Sequence, residues 1–240
     1  MKFDFTTIYD RRGRDAMAVD AVEKIPVFQP NEGFDAIPMW VADMNFATAP
    51  AVTEAIRKRL EHPLFGYFMP SDEYFDSIIR WQQRRNGVTG LEKEHIGYEN
   101  GVLGGLMSAL AAVCARGDNV LVHSPTYIGF TRSIENGGYH VITSPLKPDR
   151  YGVQRMDFFD METKIKRNDI RAVVFCSPHN PTGRVWEQEE LEHFMDMAQR
   201  LNVTVISDEI WSDLTLRGHQ HIPLQSVSDD ARQRTVALYA

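Results

Sequence analysis

Four short stretches of this 240-residue chain carry residue types that can do chemistry. The apolar run at 120–122 leads into Ser124-Pro125-Thr126-Tyr127, and the run at 172–176 into Ser177-Pro178-His179-Asn180-Pro181-Thr182-Gly183. The run at 203–206 leads into Ser207-Asp208-Glu209-Ile210-Trp211. Upstream, Asn100-Gly101-Val102-Leu103-Gly104 passes directly into a helical apolar pattern. Singly, each has a plain structural explanation. Tyr127 could be a packed aromatic, Asn180 a turn residue between prolines, and Asp208 a cap for the next helix. The glycine stretch fails the dinucleotide fingerprint, because Leu103 stands where a second glycine is needed, and it lacks the Gly-Lys-Ser/Thr ending of a P-loop. Together the four are complementary. A helix N-terminus with unbonded N–H groups suits a phosphate. An aromatic ring suits stacking on a flat heterocycle. An asparagine can donate to a phenolate-like oxygen, and a carboxylate can hold a ring nitrogen protonated.

Elements must bring these residues to one place. A helix is expected from Pro50, with Val52, Ala55, Ile56 and Leu60 on one face. Another opens at Ser71 as N-cap, carries Asp72 and Glu73 in its first turn, and stops near Asn86-Gly87. Leu103, Leu106, Met107, Leu110 and Cys114 mark a third that closes at Gly117, and Leu191, Phe194, Met195, Ala198 and Leu201 a fourth. Strands are expected at 120–122, 139–143, 172–176, 203–206 and 235–239. Continuous apolar strands separated by helices predict an α/β fold, a mostly parallel sheet with flanking helices. In such sheets ligands sit beyond the carboxyl ends of the strands, where the polar clusters fall. Residues 1–47, rich in proline and without sustained periodicity, read as an N-terminal arm, and 48–240 as the large domain.

Composition narrows the function classes. Hydrophobic residues at 43% and charged residues at 25% exclude a disordered, collagen-like or coiled-coil chain. A net charge of -7 argues against a general nucleic-acid binder, which would carry a basic stripe. The two cysteines, Cys114 and Cys176, lie in apolar runs, as buried thiols of a reducing compartment would. The charged start is no secretory signal and no apolar run reaches the length of a membrane helix, so a cytoplasmic protein with no membrane partner is expected.

Phosphate, stacking, phenolate and pyridinium partners are the set that pyridoxal 5'-phosphate (PLP) needs. The sequence resembles the fold-type I, aspartate-aminotransferase-like PLP enzymes, and within them the cystathionine beta-lyase branch. The resemblance rests on residues 177–186 (SPHNPTGRVW), on Asp208-Glu209-Ile210 at the matching interval, and on 39–44 (MWVADM) with Gly66-Tyr67. It implies that Tyr127 stacks on the pyridine ring, Asn180 bonds its phenolic oxygen and Asp208 pairs with its nitrogen. It implies that the N–H groups of Val102 and Leu103, after Gly101, bind the phosphate. Tyr67 would reach the phosphate in the partner subunit of a homodimer with shared sites. Val41 and Ala42 would approach the carboxylate of a small amino-acid substrate, and residues 1–47 would include part of a small domain.

Two departures stand out. Trp211 replaces the tyrosine that many relatives carry three residues after the aspartate. No lysine follows Asp208, and Lys147, Lys164 and Lys166 read as solvated surface. The Schiff-base lysine is therefore expected just beyond Ala240, with these residues the front part of a longer chain whose small C-terminal domain lies outside it. The implied activity is a carbon–sulfur beta-lyase giving thiol, pyruvate and ammonia. An aminotransferase uses the same early residues, and a non-catalytic regulator on this fold is the alternative from another class.

Overall fold

The computed structural model describes residues 3–240. They form two compact units, Met1–Phe68 and Met69–Ala240. In the first, α1 (Met17–Lys24) and α2 (Pro50–Leu60) are joined by irregular chain with one short 3-10 turn at Pro26–Phe28. Ala16, Ala18 and Val22 are buried at α1, a helix that the extended-arm reading of 1–47 does not anticipate. Its period is carried by small residues and spans only two turns, too short to register in the sequence. Pro50 opens α2 as expected, yet the face of Val52, Ile56 and Leu60 is exposed. The unit boundary falls at residue 68, so α2 groups with the N-terminal segment and not with the large domain.

The second unit opens with α3 (Asp72–Asn86), which begins and ends where its cap residues dictate. The Ser71 hydroxyl accepts from the Tyr74 N–H at 3.3 Å, and Gly87 takes the left-handed conformation at φ 68°. Then follow α4 (Val102–Val113), β1 (Asn119–Ser124), α5 (Ile128–Asn136), β2 (His140–Pro145), β3 (Lys147–Pro148) and β4 (Gln154–Arg155). The chain continues through α6 (Phe158–Arg167), β5 (Ala172–Cys176), α7 (Gln188–Arg200), β6 (Thr204–Asp208), α8 (Asp229–Arg234) and β7 (Thr235–Leu238).

Five strands form one sheet in the order β2-β1-β5-β6-β7, with every pair parallel, as the sequence predicts. The chain turns outward from β1 to β2 and later returns to place β5 on the other side of β1. That makes the β1–β5 boundary the point where the winding reverses, the usual ligand crevice of such sheets. Alternation along the strands divides the core. Leu121, Val173, Phe175 and Val205 pack under α6 and α7 with Met161, Ile165, Leu191 and Phe194. Val120, Val122, Ala172, Val174, Cys176 and Ile206 pack under α4 and α5 with Leu106, Leu110, Phe130 and Ile134. A period of two thus sends successive residues to opposite helical layers. The register also levels the strand ends, since Cys176 pairs with Asp208, and Asp208 with Leu238. Both cysteines are free thiols, Cys176 buried and Cys114 half-buried. Among the described residues, no helix is long and apolar enough to cross a membrane.

Candidate active site

Asp208 is the last residue of β6 and shares the parity of Ile206, so its side chain lies on the α4 side of the sheet. It is buried, with one oxygen accepting from the Ile210 N–H at 3.1 Å. No cation among the described residues pairs with it. Burial, supplemented by the neighbouring Glu209 charge and opposed by the Ile210 bond, pushes its pKa up to about 6. A buried carboxylate with no cation partner fits a group that brings its own positive charge, such as a protonated ring nitrogen.

The phosphate end is built by α4. Gly101, its N-cap, sits at φ 84° and ψ 162°, a region open essentially to glycine alone. The first intrahelical bond runs from the Gly105 N–H to the Gly101 carbonyl at 3.0 Å. The N–H groups of Val102, Leu103 and Gly104 therefore have no helical acceptor, and no side chain caps them. They form a donor set without charge of its own, suited to an anion.

Tyr127 follows β1 as N-cap of α5 and packs edge-on against Phe130, with centroids 5.4 Å apart. Its ring lies so close to the first turn of α5 that a Cβ at Gly129 would come within 2.3 Å of it. Gly129 is thus a seat for Tyr127 that the sequence reading missed; a glycine two residues after a strand-end aromatic is its only signal. Asn180 is half-buried, and its side-chain amide has no hydrogen-bond partner among the described residues.

The loop carrying Asn180 is held from behind. The Gly183 N–H donates to the His179 carbonyl at 2.7 Å, the His179 N–H to the Arg184 carbonyl at 2.8 Å, and Thr182 Oγ1 pairs with His179 Nδ1 at 2.8 Å. Trp186, fully buried, donates its Nε1–H to the Cys176 carbonyl at 2.9 Å. The His179, His123 and Trp186 rings pack together in this wall. Burial lowers His123 to about 3 and His179 to about 4, so both are neutral at neutral pH. In the sequence His179 and Trp186 are visible as parts of the 177–186 motif, whereas His123 carries no signal.

Gly101, Val102, Leu103, Tyr127, Asn180 and Asp208 all belong to the second unit, on segments that start or end at the carboxyl edge of the sheet or at the α4 N-terminus. Val41, Ala42 and Tyr67 belong to the first unit, where Tyr67 is fully exposed. Lys147 pairs with Asp157, Lys164 with Asp160 at 2.8 Å and Lys166 with Glu162 at 2.6 Å, each engaged with a carboxylate of the α6 region. Among the described residues no group of histidine, cysteine or carboxylate side chains could hold a metal ion.

A helix N-terminus with unbonded N–H groups, an aromatic ring, an amide and a buried carboxylate are together the kinds of group that suit a phosphorylated pyridine. Comparisons with known proteins agree. The sequence profile of aminotransferase class I and II matches residues 36–238. The chain is 41% identical over 196 residues to cystathionine beta-lyase PatB of Bacillus subtilis, covering 82% of this chain and 50% of that protein. It is 31% identical over 230 residues to protein MalY of Escherichia coli, covering 94% and 56%. Among solved structures it superposes on the PLP-bound C-S lyase from Staphylococcus hominis with a TM-score of 0.88 at 32% identity, covering 100% of this chain and 59% of that one. A PLP-bound putative aminotransferase from Clostridium difficile gives a TM-score of 0.90 at 34% identity, covering 100% and 60%. The chain thus spans about half to three-fifths of the length of these relatives.

Proposed function

From the premise that the chain belongs to the class I and II aminotransferase family, we propose that it binds PLP and serves a carbon–sulfur beta-lyase acting on small sulfur amino acids. The observation that carries the lyase reading is the 41% identity over 196 residues to a cystathionine beta-lyase. The cofactor supplies an electron sink for the pair left when an α-proton is removed. The residues of this chain hold and orient that cofactor. The N–H groups of Val102 and Leu103 bind the phosphate and set the depth of the ring. Tyr127 covers one face of the ring and fixes its plane. Asn180 donates to the phenolic oxygen and limits rotation in that plane. Asp208 holds the proton on the ring nitrogen, and its buried position makes that pairing strong. Val41 and Ala42 serve the substrate carboxylate. The products are a thiol, pyruvate and ammonia.

A homodimer belongs to the same reading, with Tyr67 of each subunit serving the phosphate of the other. It is supported by the exposed apolar side chains of Leu64 and Phe65, which flank Tyr67 in the first unit. A cytoplasmic setting is supported by the two free thiols.

An aminotransferase is the second reading, favoured by the 34% identical Clostridium difficile structure. The test is the full chain loaded with PLP and given cystathionine, with pyruvate scored in the presence and absence of a keto-acid acceptor. Pyruvate formation independent of the acceptor is expected. Turnover that requires the acceptor assigns the aminotransferase. In the same assay Asp208→Ala should lose about 100-fold or more of the rate while remaining folded.

A further inference from the structure

Immediately after Asp208, Glu209 is completely buried, and nothing in the cofactor reading uses it. Four donors converge on it. Oε1 accepts from Ser207 Oγ at 2.9 Å and from the Leu224 N–H at 3.1 Å. Oε2 accepts from His221 Nε2 at 2.8 Å and from the Tyr239 hydroxyl. An ionised carboxylate is acceptor-only, with about four lone-pair sites, so this set of donors matches the charged form. Ser207, on β6, and Glu209, just past its end, are joined on one side of the chain, while Asp208 between them faces the other way. The backbone adds a tie, from the Glu209 N–H to the Leu238 carbonyl at 2.9 Å. Glu209 thus joins the end of β6, the end of β7 and the segment at 221–224.

We propose that Glu209 is a positioning residue for Asp208: a buried, fully solvated-by-protein charge that fixes the β6 terminus and strengthens the hold of Asp208 on the protonated ring nitrogen. The inference rests on the PLP reading above. The titratable groups around Asp208 support it. Cys176, level with it on β5, is pushed by burial up to about 12 and stays a neutral thiol. Tyr239, just after β7, is also raised, by burial and then by Glu209, and stays neutral. His221 faces Glu209 through Nε2, and its buried Nδ1 has no hydrogen-bond partner among the described residues. After burial, the neighbouring Glu209 charge acts to raise the proton affinity of Asp208. An anion behind the aspartate raises the pH at which the carboxylate and the ring nitrogen together lose the proton they share.

The experiment uses the full chain loaded with PLP labelled with 15N in the ring, and follows the nitrogen chemical shift against pH alongside thermal stability. Glu209→Gln keeps the shape and removes the charge. Its nitrogen should deprotonate at a pH lower by about 1 unit than in the parent. Glu209→Asp keeps the charge on a shorter stem, so it should lose thermal stability while its deprotonation pH stays at the parent value. An unchanged midpoint in folded Glu209→Gln overturns the inference. Should that variant fail to fold, Glu209→Asp decides: a midpoint that falls with its stability assigns the effect to packing and overturns the proposal. Asp208→Ala separates the two levels. A nitrogen that keeps its proton without Asp208 defeats the cofactor reading itself. A nitrogen that loses it there but is untouched by Glu209→Gln defeats only the role of Glu209.

Discussion

Asp208 shows how a single residue can be costly for the fold because of what it is placed to bind. Its carboxyl rises from an ordinary 3.8 to about 6, first through burial. The folded protein therefore holds this proton more tightly than the unfolded chain does. Between about pH 4 and 6 the folded state binds more protons, so its stability falls as pH rises through that window. Above it the full penalty applies, about 3 kcal/mol by the size of the shift. Asp208→Asn removes the charge and keeps an oxygen for the Ile210 N–H. In cofactor-free protein, urea titration should show the variant more stable than the parent by up to about 3 kcal/mol at pH 7 and nearly equal at pH 4. Its PLP affinity should fall. A variant less stable than the parent at pH 7 would mean that a cation already neutralises Asp208 in the cofactor-free protein. Gain of stability with loss of binding is the signature of a site residue under strain.

The elements carry the same logic through backbone geometry. A Cβ at Gly101 meets nothing within 4 Å, so Gly101→Ala is opposed by conformation alone. The cost should be about 1–3 kcal/mol, taken either as lost stability or as a shifted first turn of α4. Equilibrium binding of PLP at fixed pH should then show a weaker phosphate grip, whereas Gly104→Ala, at a residue with no such dihedral, should be milder. Equal effects at both positions would remove the special role of Gly101. Its glycine was legible in the sequence as a loop residue before a helix, but the dihedral that demands it was not. The same divide runs through the fold. β5 was readable because five consecutive buried residues leave a continuous apolar run, and β6 because Val203, Val205 and Ile206 do nearly the same before its polar end. α5 was not, since nine residues with Gly129 and an exposed Ile128 blur its period. β3 and β4 are two residues each and take their shape from the Asp149 turn, not from a pattern. Asp208 and Asn180 could be named because each follows an apolar strand at a resembling spacing. Glu209 could not, because its four partners lie at residues 207, 221, 224 and 239 and meet only in the folded chain.

At the scale of the whole molecule, the groups proposed to hold the cofactor in the second unit do not include Tyr67, which belongs to the first unit and stands fully exposed. A phenol that exposed has no internal task, and the shared-site reading gives it one in a second copy of the chain. Two defective chains then have a defined outcome when combined. A subunit with Tyr67→Phe keeps its own Asp208 but supplies no hydroxyl to its partner. A subunit with Asp208→Ala supplies the hydroxyl but cannot hold the ring nitrogen. In the mixed dimer one site receives both intact groups and the other neither. At limiting PLP, where one lost hydroxyl weakens phosphate binding by about 10-fold, randomly mixed chains should recover about a quarter of the parent activity. Each mutant alone should fall well below that level under the same conditions. Native mass spectrometry would establish the fraction of mixed dimers, and activity should scale with it. Mixed dimers that return only the average of the two mutants would place Tyr67 outside the partner's site. The substitution removes one oxygen from an exposed ring, so it leaves the apolar surface beside it intact and the dimer itself unchanged.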